Sequence, residues 1–157
     1  MKTLIAIAGA IAAWSAPAAA EPGEPTEIAY ETGPCFGRCP VYRVTVRSDG
    51  RGTFEGRRDT AVTGTRSFRI TPAQYRAFAR HLAPLRPRRG TERYSGERCR
   101  VTATDMPSAE VSWTGRGGAS QQLYFYYGCD MGRNRAIADR LTSAPNLLPI
   151  RQFIGAR

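Results

Sequence analysis

The feature that most restricts this chain is Gly33-Pro34-Cys35-Phe36-Gly37-Arg38-Cys39-Pro40, which runs straight into Val41-Tyr42-Arg43-Val44-Thr45-Val46-Arg47. Two prolines and two glycines around a cysteine pair demand a tight turn, because proline fixes φ and glycine enters conformations other residues avoid. The residues that follow alternate, with Tyr42, Val44 and Val46 on one side and Arg43, Thr45 and Arg47 on the other, the pattern of a half-buried strand. Ser48-Asp49-Gly50 then supplies turn chemistry. A three-residue loop closed by Gly50 at positive φ sets Val44 opposite Phe54, Thr45 opposite Thr53 and Arg43 opposite Glu55, all favourable cross-strand pairs. A two-residue Asp-Gly loop would oppose Val44 to Glu55 and split the faces, so the three-residue register is the expected one.

The first twenty residues stand apart from any fold. Lys2 precedes an apolar run of eleven residues, Leu4 to Trp14, and Ala18-Ala19-Ala20 offers a cleavage site before Glu21. That is the layout of a secretory signal peptide, and the run is too short to span a bilayer, which takes about twenty residues. Residues 1–20 are therefore expected to direct export to the periplasm or beyond, with no transmembrane segment after cleavage. No cysteine directly follows the small-residue run, so no lipid anchor is expected. Of the 157 residues, 21–26 read as a flexible, proline-rich lead-in and 27–157 as one domain large enough for a single core.

Four cysteines, an even number, read as disulfides in an oxidising compartment. Three connectivities are open. Cys35–Cys39 with Cys99–Cys129 is preferred, since the first pair closes a turn and the second ties two strand ends. Loop-closure entropy gives about 2 kcal/mol for the short loop and about 3.7 kcal/mol for the long one. The formal net charge is +10, and every basic residue after Lys2 is arginine. An all-arginine set is also what a G+C-rich genome produces, so the charge carries little weight alone. In an exported domain it still permits attraction to an anionic envelope component, and export removes nucleic acid as a partner.

Further along, Ile28, Tyr30 and Thr32 begin a first strand, and Val62 to Ile70 reads as another with Val62, Phe68 and Ile70 on one face. Thr71-Pro72 opens a helix whose stripe is Tyr75, Phe78, Leu82 and Leu85. Residues 84–98 read as a charged connector. Strands are expected at Cys99–Thr104, Ala109–Thr114 and Ser120–Tyr127, with Val101, Val111, Trp113, Leu123 and Phe125 inward. Asp130 is expected to cap a second helix with Ile137 and Leu141 on its buried face, and the tail from Leu147 to Ile154 to close the core. The fold class is α+β: an antiparallel sheet of hairpins packed by two helices and stapled by disulfides. Cysteine-led hairpins about sixty residues apart hint at an internal pseudo-repeat.

The run Cys35-Phe36-Gly37-Arg38-Cys39-Pro40-Val41-Tyr42, with Ser48-Asp49-Gly50 and Phe54-Glu55-Gly56 behind it, resembles the bacterial domain-of-unknown-function family 6438. That family's pattern is Cys-Phe-Gly-x-Cys-Pro-x-Tyr, then an Asp-Gly hairpin and an aromatic-x-Gly. Gly128-Cys129 and Phe153-Ile154-Gly155 fit its outline. The resemblance implies secreted or lipid-anchored envelope proteins and transfers no catalytic residue.

The cysteine turn holds the most chemistry. It reads first as a structural clamp. As an exchangeable dithiol it would gain from Arg38, which favours thiolate, but the spacing is not Cys-x-x-Cys and no thioredoxin-like βαβ pattern follows. Four cysteines could ligate zinc, yet the paired Cys-x-x-Cys knuckles are missing, and neither metal nor any other cofactor is expected. His81, the single histidine, falls on the flank of the helix stripe and reads as a half-exposed helix residue. Gly-x-Ser-x-Gly is missing, Glu92 and Glu97 sit among arginines in the connector, and Gly115 to Gly118 read as a hairpin loop, so no catalytic residue is expected. Binding candidates are Arg38, Tyr124 and Tyr126 on the outer face of their strand, and Arg86, Arg88 and Arg89, which could receive an acidic partner. Two functions follow. One is a non-enzymatic envelope interaction module for an anionic component or a protein partner; the other is a thiol–disulfide redox protein using Cys35 and Cys39.

Overall fold

The computed structural model describes residues 23–155, and the expected signal peptide lies outside the described residues. Seven strands form one sheet: β1 (Glu27–Thr32), β2 (Val41–Arg47), β3 (Arg51–Arg58), β4 (Gly64–Arg69), β5 (Gly90–Tyr94), β6 (Ser108–Thr114) and β7 (Ser120–Tyr126). Their order is β4-β3-β2-β1-β6-β7-β5, and every pair is antiparallel except β5 with β7. Two main helices, α1 (Pro72–Leu82) and α2 (Arg135–Ser143), and a short one, α3 (Arg151–Ile154), complete the α+β fold.

The β2–β3 hairpin has the three-residue loop, with Gly50 at φ 87, and pairs Val44 with Phe54, Thr45 with Thr53 and Arg43 with Glu55. The alternation decides which face is buried. Ile28, Tyr30, Tyr42, Val44, Phe54, Val111, Trp113, Leu123 and Phe125 line one side of the sheet and join Tyr75, Phe78, Leu82, Leu141 and Ile150 in a single core. The opposite side of the sheet is polar, and Glu31 there accepts from both Arg43 and Arg57. Thr71 and Gln74 form a reciprocal capping box that starts α1, with Pro72 in its first turn.

Four segments depart from the sequence reading, each through a partner distant in the chain. The 84–98 connector contains β5, an edge strand whose Gly-Thr-Glu-Arg-Tyr has no apolar alternation; pairing with β7 makes it a strand, not its own pattern. Cys99–Thr104 is not a strand. It makes one isolated bridge, Thr102 with Cys129, and Val101 is 72% exposed rather than inward. Asp130 explains this: its carboxylate accepts from the Arg100 and Val101 N–H groups (3.1 and 2.9 Å) that a strand partner would need. It therefore does not cap α2, which begins after Asn134.

The described part of the lead-in contacts the domain: Tyr75 Oη donates to the Pro25 carbonyl and Arg86 Nη1 to that of Gly23. At the other terminus, Ala61 and Val62 donate to the carbonyls of Ile154 and Phe153, which starts β4 at Gly64 and docks α3 beside it. The halves share a hairpin-then-helix order but not a strand path. The first is a four-strand meander, and the second is a hairpin with β5 added in parallel.

Candidate functional site

Both disulfides lie at one end of the sheet, where β1 and β7 finish and β2 and β6 begin. Cys35–Cys39 closes the link between β1 and β2, and Cys99–Cys129 ties the 99–107 segment to the residues just past β7. The two clamped loops then brace each other. Phe36 N–H donates to the Asp105 carbonyl (3.1 Å) and Gly33 N–H to that of Ser108 (2.8 Å). Tyr126 Oη donates to the Ala103 carbonyl (2.9 Å) and accepts from Met106 N–H (3.2 Å). Gly128 is required here, because a Cβ would overlap the Ala103 carbonyl oxygen.

Between these loops opens a cleft of about 720 Å³. Pro40, Met106, Pro107, Tyr127 and Ile154 give it apolar walls, and Cys39 lies in its lining. Arg38 and Asp59 supply its charge and face each other, Nε to Oδ1 3.7 Å. On the same clamped turn Phe36 is 87% exposed. The loop that carries this large apolar side chain is covalently closed and has already lost much of the backbone freedom that binding would otherwise remove.

The opposite end of the sheet has a second cleft, about 540 Å³, whose lining includes Glu24, Tyr75, Arg76, Arg86 and Arg116. Arg86 is bound within it: Nε and Nη2 donate to Gln121 Oε1 (2.9 and 2.6 Å) and Nη1 to the Gly23 carbonyl (2.8 Å). Burial draws its pKa below the usual arginine range, and burial, with Glu24 nearby, pushes the Tyr75 phenol up to about 12.

The sequence candidates are thus dispersed. Arg38 stands at the first cleft and Arg86 in the second. Tyr126 is spent on holding the 103–106 loop. Tyr124 shares the polar side of the sheet and lies under the Arg93 guanidinium, 4.1 Å from its ring centroid. Arg88 and Arg89 are exposed ahead of β5. His81 joins the helices, donating from Nε2 to the Arg140 carbonyl (2.8 Å) while Arg140 Nη1 donates to the His81 carbonyl (2.7 Å). Sequence reasoning missed Asp59, Met106, Pro107 and Ile154, which come from separate segments with no local motif; the signal at hand was the apolar Met-Pro step just before β6. With all four cysteines in disulfides, thiolate ligation of zinc is closed. Among the described residues no group of three or more His, Cys, Asp or Glu could hold a metal ion, and no helix is long and apolar enough to cross a membrane.

A family model described as Domain of unknown function (DUF6438) matches residues 26–145. The chain belongs to that family. The match takes in the cysteine turn, the whole sheet, α1 and α2, so the braced cleft is built mainly from the DUF6438 region, with Ile154 and Gly155 added from beyond it. No curated protein and no solved structure matches the chain.

Proposed function

We propose that this DUF6438 domain is a non-enzymatic interaction module of an exported envelope protein, and that a protein partner binds in the cleft beside the Cys35–Cys39 turn. The observation that carries this is Phe36, exposed at the tip of a covalently closed turn next to an apolar-walled cleft. Aromatic anchors on rigid supports dominate binding energy at protein interfaces. Arg38 and Asp59 offset one another at the cleft, so an anion gains little there and an uncharged or mixed peptide surface is the better fit. Two disulfides agree with an oxidising location. The test is affinity purification from an envelope extract with the wild-type chain and with Phe36→Ala. Loss of a retained protein from the variant supports the reading, and identical retained sets contradict it.

A thiol–disulfide exchange role is the second reading. It is favoured by Cys39 in the cleft lining and by the partial exposure of both cysteines of that pair, where Cys129 is fully buried. Its measure is the reduction potential of Cys35–Cys39; a value well below the glutathione range removes it.

A further inference from the structure

The cleft remote from the disulfides has a different chemistry. Arg76 from α1, Arg86 from the turn after it and Arg116 from the β6–β7 loop converge there from three separate segments. Elsewhere among the described residues arginines 38, 43, 47, 51, 57, 58 and 135 each have a carboxylate within 4.0 Å. None of these three does, a condition they share with other described arginines such as Arg66, Arg69 and Arg80; what sets the three apart is that they meet in one cleft. Among the described residues Glu24 is the only carboxylate in the lining, which leaves two positive charges in excess there.

Arg86 makes the case sharpest. Its guanidinium is half-buried and its three hydrogen bonds go to neutral acceptors, the Gln121 amide and the Gly23 carbonyl. Three of five N–H groups are thereby used and the charge itself is uncompensated. A partly desolvated charge without a counter-charge is unfavourable, and an arriving anion reverses that. Pro72 at the rim brings the positive end of the α1 dipole to the same place. A carboxylate would compensate half the excess. A phosphomonoester carries about −1.5 to −2 and offers three oxygens to guanidinium forks.

We infer that this cleft binds a phosphomonoester dianion, held by Arg76, Arg86 and Arg116. The cleft is larger than one phosphoryl group needs, so the group arrives on a carrier, either a free small alcohol phosphate or a lipid headgroup.

The experiment titrates the folded chain with glycerol 3-phosphate by calorimetry, and separately with phosphatidylcholine vesicles with and without phosphatidic acid. Acetate and glycerol serve as controls. Arg76 and Arg116 are exposed, so the variant Arg76→Gln/Arg116→Gln is expected to keep its unfolding midpoint while losing at least about tenfold in affinity. Saturable binding of glycerol 3-phosphate that the variant loses supports the inference with a soluble source. Binding only to phosphatidic acid vesicles, lost in the same variant, supports it with a lipid source. Three results overturn it: no binding of either probe, binding unchanged in the variant, or acetate binding as tightly as glycerol 3-phosphate. Phe36→Ala leaves this binding intact, which separates the inference from the partner cleft.

Discussion

The two ends of the sheet are built on opposite plans. At one end both disulfides pin loops in place, the walls between them are apolar, and the charges at the cleft face each other. At the other there is no disulfide; Arg86 and Tyr75 contact the lead-in by hydrogen bonds, and three arginines share a lining with a single described carboxylate, Glu24, that none of them pairs with. The difference teaches how one sheet can offer two kinds of surface. Covalent closure lets an aromatic side chain stay in water without its loop collapsing onto the core. Hydrogen bonds to neutral acceptors let a guanidinium be positioned without being neutralised.

The largest expected effect is at the disulfide end. Cys99→Ser with Cys129→Ser removes a long-loop closure and is expected to lower stability by about 3.7 kcal/mol in urea unfolding. The corresponding change at Cys35 and Cys39 is expected to lose about 2 kcal/mol, together with partner retention. Under conditions where both variants remain folded, phosphate binding at the far cleft should survive in each. Equal destabilisation by the two pairs would break the comparison, because it would mean that the short clamp is as much a global staple as the long one.

One group at each end is expected to respond to an opposite extreme of pH. Hydrogen bonds from Val101 and Arg100 N–H hold the Asp130 carboxyl below its ordinary range. A folded pKa below the unfolded one stabilises above the unfolded value, about 3.9, and that stability is lost as pH falls through the folded value. Acid should loosen the 99–107 loop, and Asp130→Asn should flatten the acid limb of the unfolding midpoint against pH. Tyr75 behaves in the reverse sense. Its folded pKa of about 12 lies above the unfolded value of about 10, so its contribution is complete below pH 10 and fades as pH rises towards 12. Tyr75→Phe should shallow the alkaline limb. Part of the slope will remain, because burial and the hydrogen bond to Glu92 also raise Tyr94 to about 12.

The smallest stability effect is expected at the residue given the largest binding role. Phe36→Ala should leave the urea midpoint within about 0.5 kcal/mol of wild type, since the side chain is already 87% exposed. A larger loss would show that Phe36 packs in solution and would weaken its assignment as an anchor.

How much of this could be read from the chain depended on whether the information was local. The β2–β3 register was legible pair by pair because alternation, loop length and Gly50 all gave the same answer. The start of α1 was legible because Thr71 and Pro72 carry their own capping chemistry. Val101 misled, because an apolar residue beside a cysteine looks like an inward strand position until Asp130, about thirty residues on, takes the backbone donors. β5 was invisible, since Gly90–Tyr94 has no apolar alternation and becomes a strand by pairing with β7. The same limit applied to the sites. Arg38 and Arg86 were named as binding candidates, but their separation to opposite ends is a property of the sheet. Asp59, Met106 and Arg116 meet their neighbours only after all seven strands have paired.

The most direct test puts a photo-crosslinking p-benzoyl-phenylalanine at position 36 of the full chain in cells and, as a control, at position 53 on the polar side of the sheet. The account predicts a discrete protein adduct from position 36 that disappears when Cys35 and Cys39 are changed to serine, and no such adduct from position 53. Equal labelling from both positions, or an adduct at 36 that persists without the clamp, would contradict it.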